Sequence, residues 1–292
     1  MVMMAPITYP LLLSSRVVSL TNSIKYELTD ARYLQITYLS CFLFYGIAQL
    51  GWEISAFNFI TTFVIGIVTQ IVAVKITRQH LSSIKSALIT ILGLTILLRA
   101  GNAGVYAFAA FVAIASKFII RYKGKHIINP ANFGIITAIL VTGSAWISPG
   151  QWGNTTVLLF MIGAAGMMVL LKVGRLDLAL PFLLTFGGLE FLRSVVYQGW
   201  PIDFFWHKML NGSLMLFTFF MITDPKSTPA HRKGRIIFSV TIAILSFVLS
   251  NYLFVQVAPV WALFFLSPIT LLLDRIFPAQ QFNWNLSNSK TK

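Results

Sequence analysis

Ten apolar runs, separated by short polar segments, dominate the pattern of hydrophobic and polar positions in this chain. The runs are Tyr33–Gly51, Ser55–Ile76, Ile84–Leu98, Ala103–Ile120, Ile127–Ala145, Thr155–Leu171, Leu178–Tyr197, Phe205–Ile222, Ile236–Val255 and Pro259–Leu273. A helix that crosses the hydrocarbon core of a bilayer needs about 20 apolar residues. The pattern therefore predicts an all-α, polytopic membrane protein with about ten transmembrane helices.

The basic residues fall almost entirely in alternate loops between these runs. Of the 22 lysines and arginines, 19 lie on one side of the predicted membrane, and Arg99, Arg193 and Lys208 lie on the other. Cytoplasmic loops of membrane proteins carry the excess of basic residues. We therefore expect a protein of the cytoplasmic (inner) membrane with both termini in the cytoplasm.

The ten runs also predict how the chain divides. A cytoplasmic N-terminal segment (1–32) precedes one transmembrane domain (33–276), and a cytoplasmic tail (277–292) follows it. The domain splits into candidate repeats 33–145 and 153–276, and each repeat ends in a proline-led helix, at Asn129-Pro130 and at Ala258-Pro259. Because five is odd, the two repeats enter the membrane from opposite sides, which predicts a 5+5 inverted repeat.

Composition excludes several classes of function. Hydrophobic residues make up 57% of the chain and charged residues only 10%, whereas soluble domains carry about 25% charged residues. Since the net charge of +14 lies in the loops between apolar runs, the bilayer explains it better than a nucleic acid does. A single cysteine, Cys41, forms no internal disulfide, and we find neither a metal-binding motif nor a set of catalytic residues.

Three polar clusters lie on the basic side next to apolar runs. They contain Ser86 and Thr90, Asn129 and Asn132, and Thr223 and Asp224. Asn129 before proline is a good helix cap, and the free N–H groups at a helix start also attract anions. The clusters are therefore either ordinary caps and turns or parts of one shared site. In the third cluster, Asp224 either pairs with Lys226 or Arg235 or orients a ligand.

Charged and small polar residues also occur within or beside the runs on the opposite side. They are Arg99, Glu190, Arg193, Asn211 and Ser213. Charges inside a membrane are costly and usually face a partner or a wet cavity. Two interpretations stay open: an ion pair between Glu190 and an arginine that locks helices together, or part of a path for an ion or proton. Lys117, near the end of its run, is expected to extend its amine to the basic surface.

The polar clusters resemble, in their order and spacing, the NqrB/RnfD family, whose members are membrane subunits of the Na⁺-translocating NADH:quinone reductase and of the Rnf electron-transport complex. The matching stretches are Ser86-Ala87-Leu88-Ile89-Thr90, Asn129-Pro130-Ala131, Asn211-Gly212-Ser213, Thr223-Asp224-Pro225 and the basic turn His231–Arg235. The resemblance covers about residues 33–276. It implies a ten-helix inverted repeat, flavin cofactors and ion-coupled electron transfer.

One departure from the family limits what the resemblance implies about cofactors. Family members carry covalent FMN on the threonine of a Ser-Gly-Ala-Thr-like motif in the outer loop between the fifth and sixth helices. Here that loop, about Ser144–Asn154, has no such motif, so covalent FMN is not expected. The resemblance then implies noncovalent FMN or riboflavin held by Ser86, Thr90, Asn129, Asn132, Thr223 and Asp224.

The protein would act together with redox or assembly partners, since the sequence shows no motif for NADH or for an iron–sulfur cluster. Two other functions stay open on the same fold. One is a transporter or channel for an ion or small polar solute; the other is a membrane anchor without redox activity.

Overall fold

The structure is a computed structural model that describes residues 30–52, 54–78, 83–147 and 156–282. The predicted N-terminal segment up to residue 29, the loop 148–155 and the tail from residue 283 lie outside the described residues. The helices are α1 (Ala31–Ala48), α2 (Ala56–Thr77), α3 (Ile84–Leu97), α4 (Ala103–Ile119), α5 (Pro130–Thr142), α6 (Thr156–Val173), α7 (Leu176–Phe191), α8 (Ile202–Met209), α9 (Gly212–Leu216), α10 (Arg232–Asn251), α11 (Ala258–Leu266) and α12 (Ile269–Ile276).

The described residues also contain two π-helical segments and four short strands. The π-helical segments, which have wider turns, are π1 (Leu192–Tyr197), which continues α7, and π2 (Phe217–Met221), which continues α9. The strands are β1 (Leu98–Ala100), β2 (Arg121–Tyr122), β3 (Lys125–His126) and β4 (Ala145–Ile147). They form two antiparallel ribbons, β1–β4 and β2–β3.

Every predicted apolar run contains a helix, and the predicted all-α class is confirmed. The eighth run, Phe205–Ile222, is wrong as a single element, because the chain breaks between α8 and α9. Asn211 causes this break by capping α9, and its side-chain oxygen accepts the N–H of Ser213 at 2.8 Å. The tenth run consists of α11 and α12, which bend by 55° at Ser267–Pro268.

Within the described residues, three helical stretches are long and apolar enough to cross a membrane. They are Ala56–Thr77, Leu176–Tyr197 and Arg232–Asn251, and the bent pair α11–α12 makes a fourth if it is one span. The other apolar helices are shorter, such as α5 with 13 residues, which rises only about 20 Å. The structure therefore supports a membrane protein, while the predicted count of ten full spans stays a prediction.

The ribbon β1–β4 lengthens two of the short helices. It pairs Leu98 with Ile147 and Ala100 with Ala145, directly after α3 and close after α5. Three extended residues add about 10 Å to each helix, which brings each segment close to the roughly 30 Å of a hydrocarbon core. Strand pairing also supplies partners for backbone groups that a membrane would leave unsatisfied.

The same pattern of helix neighbours occurs in both halves of the chain. α2 packs on α4 as α7 packs on α10, α4 packs on α5 as α10 packs on α11, and α1 packs on α3 as α6 packs on α9. Between the halves, α1 contacts α6 and α5 contacts α11. One apolar core extends through both halves; Phe42, Phe182, Phe217 and Phe238 are each less than 2% exposed.

The contact between α4 and α5 depends on small residues. A Cβ atom added at Gly134 of α5 would lie 2.6 Å from the Cβ of Ala113 and 2.7 Å from the carbonyl oxygen of Ala109. Both alanines are completely buried. Small residues at such crossings allow helix backbones to approach closely inside a membrane.

We predict that Gly134→Ala destabilises the protein by about 1–3 kcal/mol, because the new methyl group overlaps backbone atoms that cannot move aside easily. Gly163→Ala in α6 is the matched control, since nothing lies within 4 Å of its added Cβ. Alanine favours a helix over glycine by up to about 1 kcal/mol, so the control is neutral or stabilising. Thermal unfolding in detergent, followed by tryptophan fluorescence, measures both. Equal unfolding temperatures for the two variants would contradict the tight α4–α5 contact.

Candidate functional site

A cleft opens where five helical elements meet on one face, which we call the basic face. The starts of α1, α3 and α5 lie there together with the ends of α6 and π2, as the alternating charge pattern predicts. The cleft has about 970 Å³ of empty space, part of it open to solvent. Its polar lining residues are Arg32, Gln35, Ser86, Thr90, His126, Asn129, Thr223, Asp224 and Lys226. Five of the six predicted cofactor-binding residues thus lie in one place.

Asn129 connects the start of α5 to the end of π2. Its side-chain oxygen accepts the N–H of Asn132 at 3.1 Å, and Pro130 occupies the first turn, so the predicted helix cap is confirmed. Its amide nitrogen donates to the carbonyl oxygen of Met221 at 3.3 Å and to the Asp224 carboxylate at 3.5 Å. The cap therefore also positions the third polar cluster.

Asp224 organises the turn that follows π2. Its carboxylate accepts the backbone N–H of Lys226 and the hydroxyl of Ser227, both at 3.0 Å. The predicted ion pairs with Lys226 or Arg235 are wrong, since Arg235 instead forms an ion pair with Asp177 at 2.6 Å. Asp224 satisfies local donors first, because residues two and three positions ahead in a turn are within reach of a short side chain.

Asn132 lies behind the cleft instead of in its lining. It is completely buried, and its amide nitrogen donates to the carbonyl oxygen of Val260 in α11 at 2.7 Å. Its side-chain oxygen has no hydrogen-bond partner among the described residues. Asn132 therefore joins α5 to α11, and direct contact with a ligand in the cleft would require the lining to move.

Lys117 is a residue of the site that sequence analysis misplaced. The expectation that its amine reaches the basic surface is wrong, because the residue is only 4% exposed. Its Nζ donates to the backbone oxygen of Ser86 at 2.8 Å and to the Ser86 hydroxyl at 3.2 Å. In the sequence, Lys117 is a single charge within an apolar run, and that pattern does not distinguish a buried amine from one at the surface.

Positive charge surrounds the mouth of the cleft. Asp30 forms ion pairs with Arg32 at 2.7 Å and with Lys85 at 3.3 Å. Burial raises the pKa of Asp30, but hydrogen bonds from Arg32 and the two positive charges outweigh it and hold this pKa below its usual value. Burial also lowers the pKa of Lys226, against the attraction of Asp224.

The short hairpin β2–β3 brings His126 to the cleft. Its turn residues, Lys123 and Gly124, both have positive φ angles, which is the geometry of the tightest two-residue hairpins. Burial, together with the positive charges of Lys117, Arg121 and Lys226, lowers the pKa of His126 to about 3. The imidazole is therefore neutral at physiological pH, and its Nδ1 has no partner among the described residues.

A second polar cluster surrounds Glu190 on the opposite face. Glu190 is 1% exposed, and its carboxylate accepts from Lys208 at 2.8 Å and from the side-chain amide of Asn251 at 2.6 Å. Of the two interpretations that the sequence leaves open, Glu190 does form an ion pair between helices, but its cation is Lys208 and not an arginine; the Arg193 guanidinium lies over the ring of Tyr252, 4.8 Å from its centroid. A lysine from another helix reaches the buried carboxylate, whereas the Arg193 guanidinium reaches the end of α10 and donates to the carbonyl oxygen of Asn251 at 3.5 Å.

The remaining predicted residues divide between two places. Asn211 and Ser213 line a pocket of about 560 Å³ of empty space together with Lys208. Arg99 donates to the carbonyl oxygens of Thr95 and Leu98 at 3.0 and 2.8 Å and lies beside Trp52. None of the described contacts joins Arg99 to Glu190, so the structure does not assemble a continuous polar path from these five residues.

The second half of the chain is similar to known proteins. A model of the NQR2, RnfD, RnfE family matches residues 139–283. One relative, which belongs to the ion-translocating oxidoreductase complex of Stutzerimonas stutzeri, is 28% identical over 138 residues, which is 47% of this chain and 38% of that protein. The match therefore spans less than half of the relative's length. The resemblance expected from the sequence motifs is confirmed.

We predict that Lys208→Met destabilises the protein more than Glu190→Gln does. Removing the lysine leaves a buried carboxylate without its cation, which costs about 3–5 kcal/mol for fully buried pairs and less here because the Lys208 side chain is 34% exposed. Glutamine at position 190 keeps a polar partner for Asn251. The double variant recovers part of the loss, which thermal unfolding of all four proteins measures. Strictly additive losses would show that the two side chains do not interact.

Proposed function

We propose that this chain, whose residues 139–283 match a model of the NQR2, RnfD, RnfE family, is a membrane subunit of an ion-translocating oxidoreductase complex. We propose further that it holds a noncovalent flavin, FMN or riboflavin, in the cleft of the basic face. The observation that supports this most is the convergence of Ser86, Thr90, Asn129, Thr223 and Asp224 on that cleft, since these residues come from the sequence stretches that carry the family resemblance.

The lining of the cleft suits a flat aromatic ring with polar edges. Its walls include Leu39, Leu97, Leu170 and Phe220, and ligand sites commonly combine such apolar walls with a few well-placed polar groups. The unpartnered Nδ1 of His126 is a buried polar atom at the wall, and a bound ligand would satisfy it.

Each part of the lining has a defined role in this proposal. The hydroxyls of Thr90 and Thr223 donate to carbonyl oxygens of their own helices, at 3.0 and 2.7 Å, which leaves oxygen lone pairs to accept from a ligand. Asn129 and Asp224 hold the two helix ends together and so maintain the width of the cleft. A flavin supplies one- and two-electron transfer, while the protein supplies its position and electrostatic environment.

The helix neighbours support a 5+5 inverted repeat as the architecture. The same three kinds of pairing occur in both halves, and the contacts between the halves join equivalent helices, α1 with α6 and α5 with α11. Proline leads α5 and α11 alike, at Pro130 and Pro259. Together with the 19 basic residues on one side, this favours a protein of the inner membrane with the cleft facing the cytoplasm.

A redox partner follows from the same proposal, because a flavin in a membrane subunit needs a protein that delivers electrons and one that receives them. The relative's printed name describes one component of a complex. Transport of an ion past Glu190 has less support, because both of its carboxylate oxygens are bonded to Lys208 and Asn251. That arrangement favours an ion pair that holds α7, α8 and α10 together.

We predict that Asn129→Ala weakens the binding of FMN or riboflavin at least tenfold, because the cleft loses a polar group and the contact to Met221 and Asp224. Asn102→Ala is the matched control: Asn102 caps α4 through an equivalent bond to Val105 at 3.2 Å but lies at the opposite face. Both variants lose a cap worth about 1 kcal/mol, so only the effect on the cleft differs. Flavin fluorescence, titrated into the purified full-length protein, measures the affinity.

Flavin binding by the wild-type protein tests the proposal directly. Purification in mild detergent should retain visible flavin absorbance, or the protein should take up added flavin. Absence of both, also after extraction together with its partners, would contradict the flavin proposal. Equal losses in Asn129→Ala and Asn102→Ala would place the flavin outside the basic-face cleft.

A further inference from the structure

Lys117 is the most unusual charged residue in the described part of the chain. It is 4% exposed, and the groups that receive its hydrogen bonds are both on Ser86, the backbone oxygen at 2.8 Å and the hydroxyl at 3.2 Å. No carboxylate of the described residues forms an ion pair with it. Burying an ammonium group without an opposite charge is costly, so the position needs a reason beyond packing.

The position of Ser86 connects this amine to the cleft. Ser86 belongs to the lining, and Lys117 lies directly behind it. A hydroxyl has one hydrogen to donate and two lone pairs to accept with. Since Ser86 already accepts from Lys117, its own hydrogen remains available to a group inside the cleft. Lys117 thus orients the Ser86 hydroxyl, and its charge is separated from the interior of the cleft by the Ser86 side chain.

The other charges near the cleft do not cancel that of Lys117. Asp30 is shared between Arg32 and Lys85, which leaves one positive charge in excess. Asp30 and Lys85 lie beside Arg32 outside the lining, and Asp224 is the one carboxylate among the lining residues; Lys226 stands beside it without a described ion pair. Four basic groups therefore face two carboxylates, so the cleft has a net positive charge when Lys117 is protonated.

We propose that Lys117, acting through Ser86, is a positioning residue that makes the cleft bind a flavin whose isoalloxazine ring has taken up two electrons and one proton, and so carries a negative charge, more tightly than a flavin whose ring is oxidised and uncharged. This inference rests on the proposed function, because it concerns the same cleft. The physical reason is that charges attract much more strongly in a buried, low-dielectric site than in water. A site that prefers the reduced form raises the midpoint potential of its flavin, and charge near the ring is one of the means by which proteins tune it.

The test compares four forms of the full-length protein in detergent, each supplied with FMN and, separately, with riboflavin. They are the wild type, Lys117→Met, Lys117→Arg and Lys233→Met. Methionine keeps the length of the side chain without its charge, and arginine keeps the charge. Lys233 is exposed on the basic face, so its replacement controls for a change in overall charge.

Affinity for the oxidised flavin and the midpoint potential of the bound flavin are measured for each form. In Lys117→Met we expect the preference for the reduced form to fall at least tenfold, seen as a lower midpoint potential, while the affinity for the oxidised flavin changes less than threefold. Lys117→Arg should stay within threefold of the wild type, and Lys233→Met should be unchanged.

The possible results distinguish failure of the role of Lys117 from failure of the proposed flavin site. A Lys117→Met protein that binds flavin at an unchanged midpoint potential would overturn the role of Lys117 and leave the proposed function standing. A wild type that binds no flavin would overturn the proposed function itself. If Lys117→Met does not fold, Ser86→Ala replaces it, since it keeps the lysine and removes only the hydroxyl. A flavin-loaded Ser86→Ala protein must then show a lower potential, and an unchanged one would count against the proposal.

Discussion

The side chain of Asn129 holds two parts of the structure together on which the cleft depends. Inside a bilayer, a helix end that is not exposed to water must find hydrogen-bond partners within the protein. Asn129 provides one for α5 through the N–H of Asn132 and one for π2 through the carbonyl oxygen of Met221. Because α5 and π2 belong to different halves of the chain, this single amide links the halves at the cleft.

The fold builds the site by bringing short helices to a common meeting point. α3, α5 and the α9–π2 segment begin or end close to the cleft, and the ribbon β1–β4 completes α3 and α5 at their other ends. Short helices leave more ends inside the protein than long ones do, and helix ends carry the polar groups that a ligand can use. The polar lining therefore arises from the fold itself as well as from the residues placed in it.

Local features of this structure were predictable from the sequence, and contacts between distant segments were not. The cap at Asn129-Pro130 and the turn at Asp224-Pro225 depend on neighbouring residues, so short motifs identified them. The ion pairs Glu190–Lys208 and Arg235–Asp177 join residues 18 and 58 positions apart. Each of these ion pairs joins two different helices, and short-range patterns do not show which helices pack together, so they point to the nearer Arg193 and Lys226 as partners.

The wide turn π2 has a consequence for how this segment tolerates insertions and deletions. In it the N–H of Ile222 bonds to the carbonyl oxygen of Phe217, five residues earlier instead of four, so the segment contains one residue more than a regular helix of the same rise would need. Each residue of an α-helix turns the chain by about 100°. Loss of one residue between Phe217 and Met221 would therefore leave a regular helix of about the same rise, with Thr223 and Asp224 still directed at the cleft, whereas loss of a second residue would turn both away from it by about 100°.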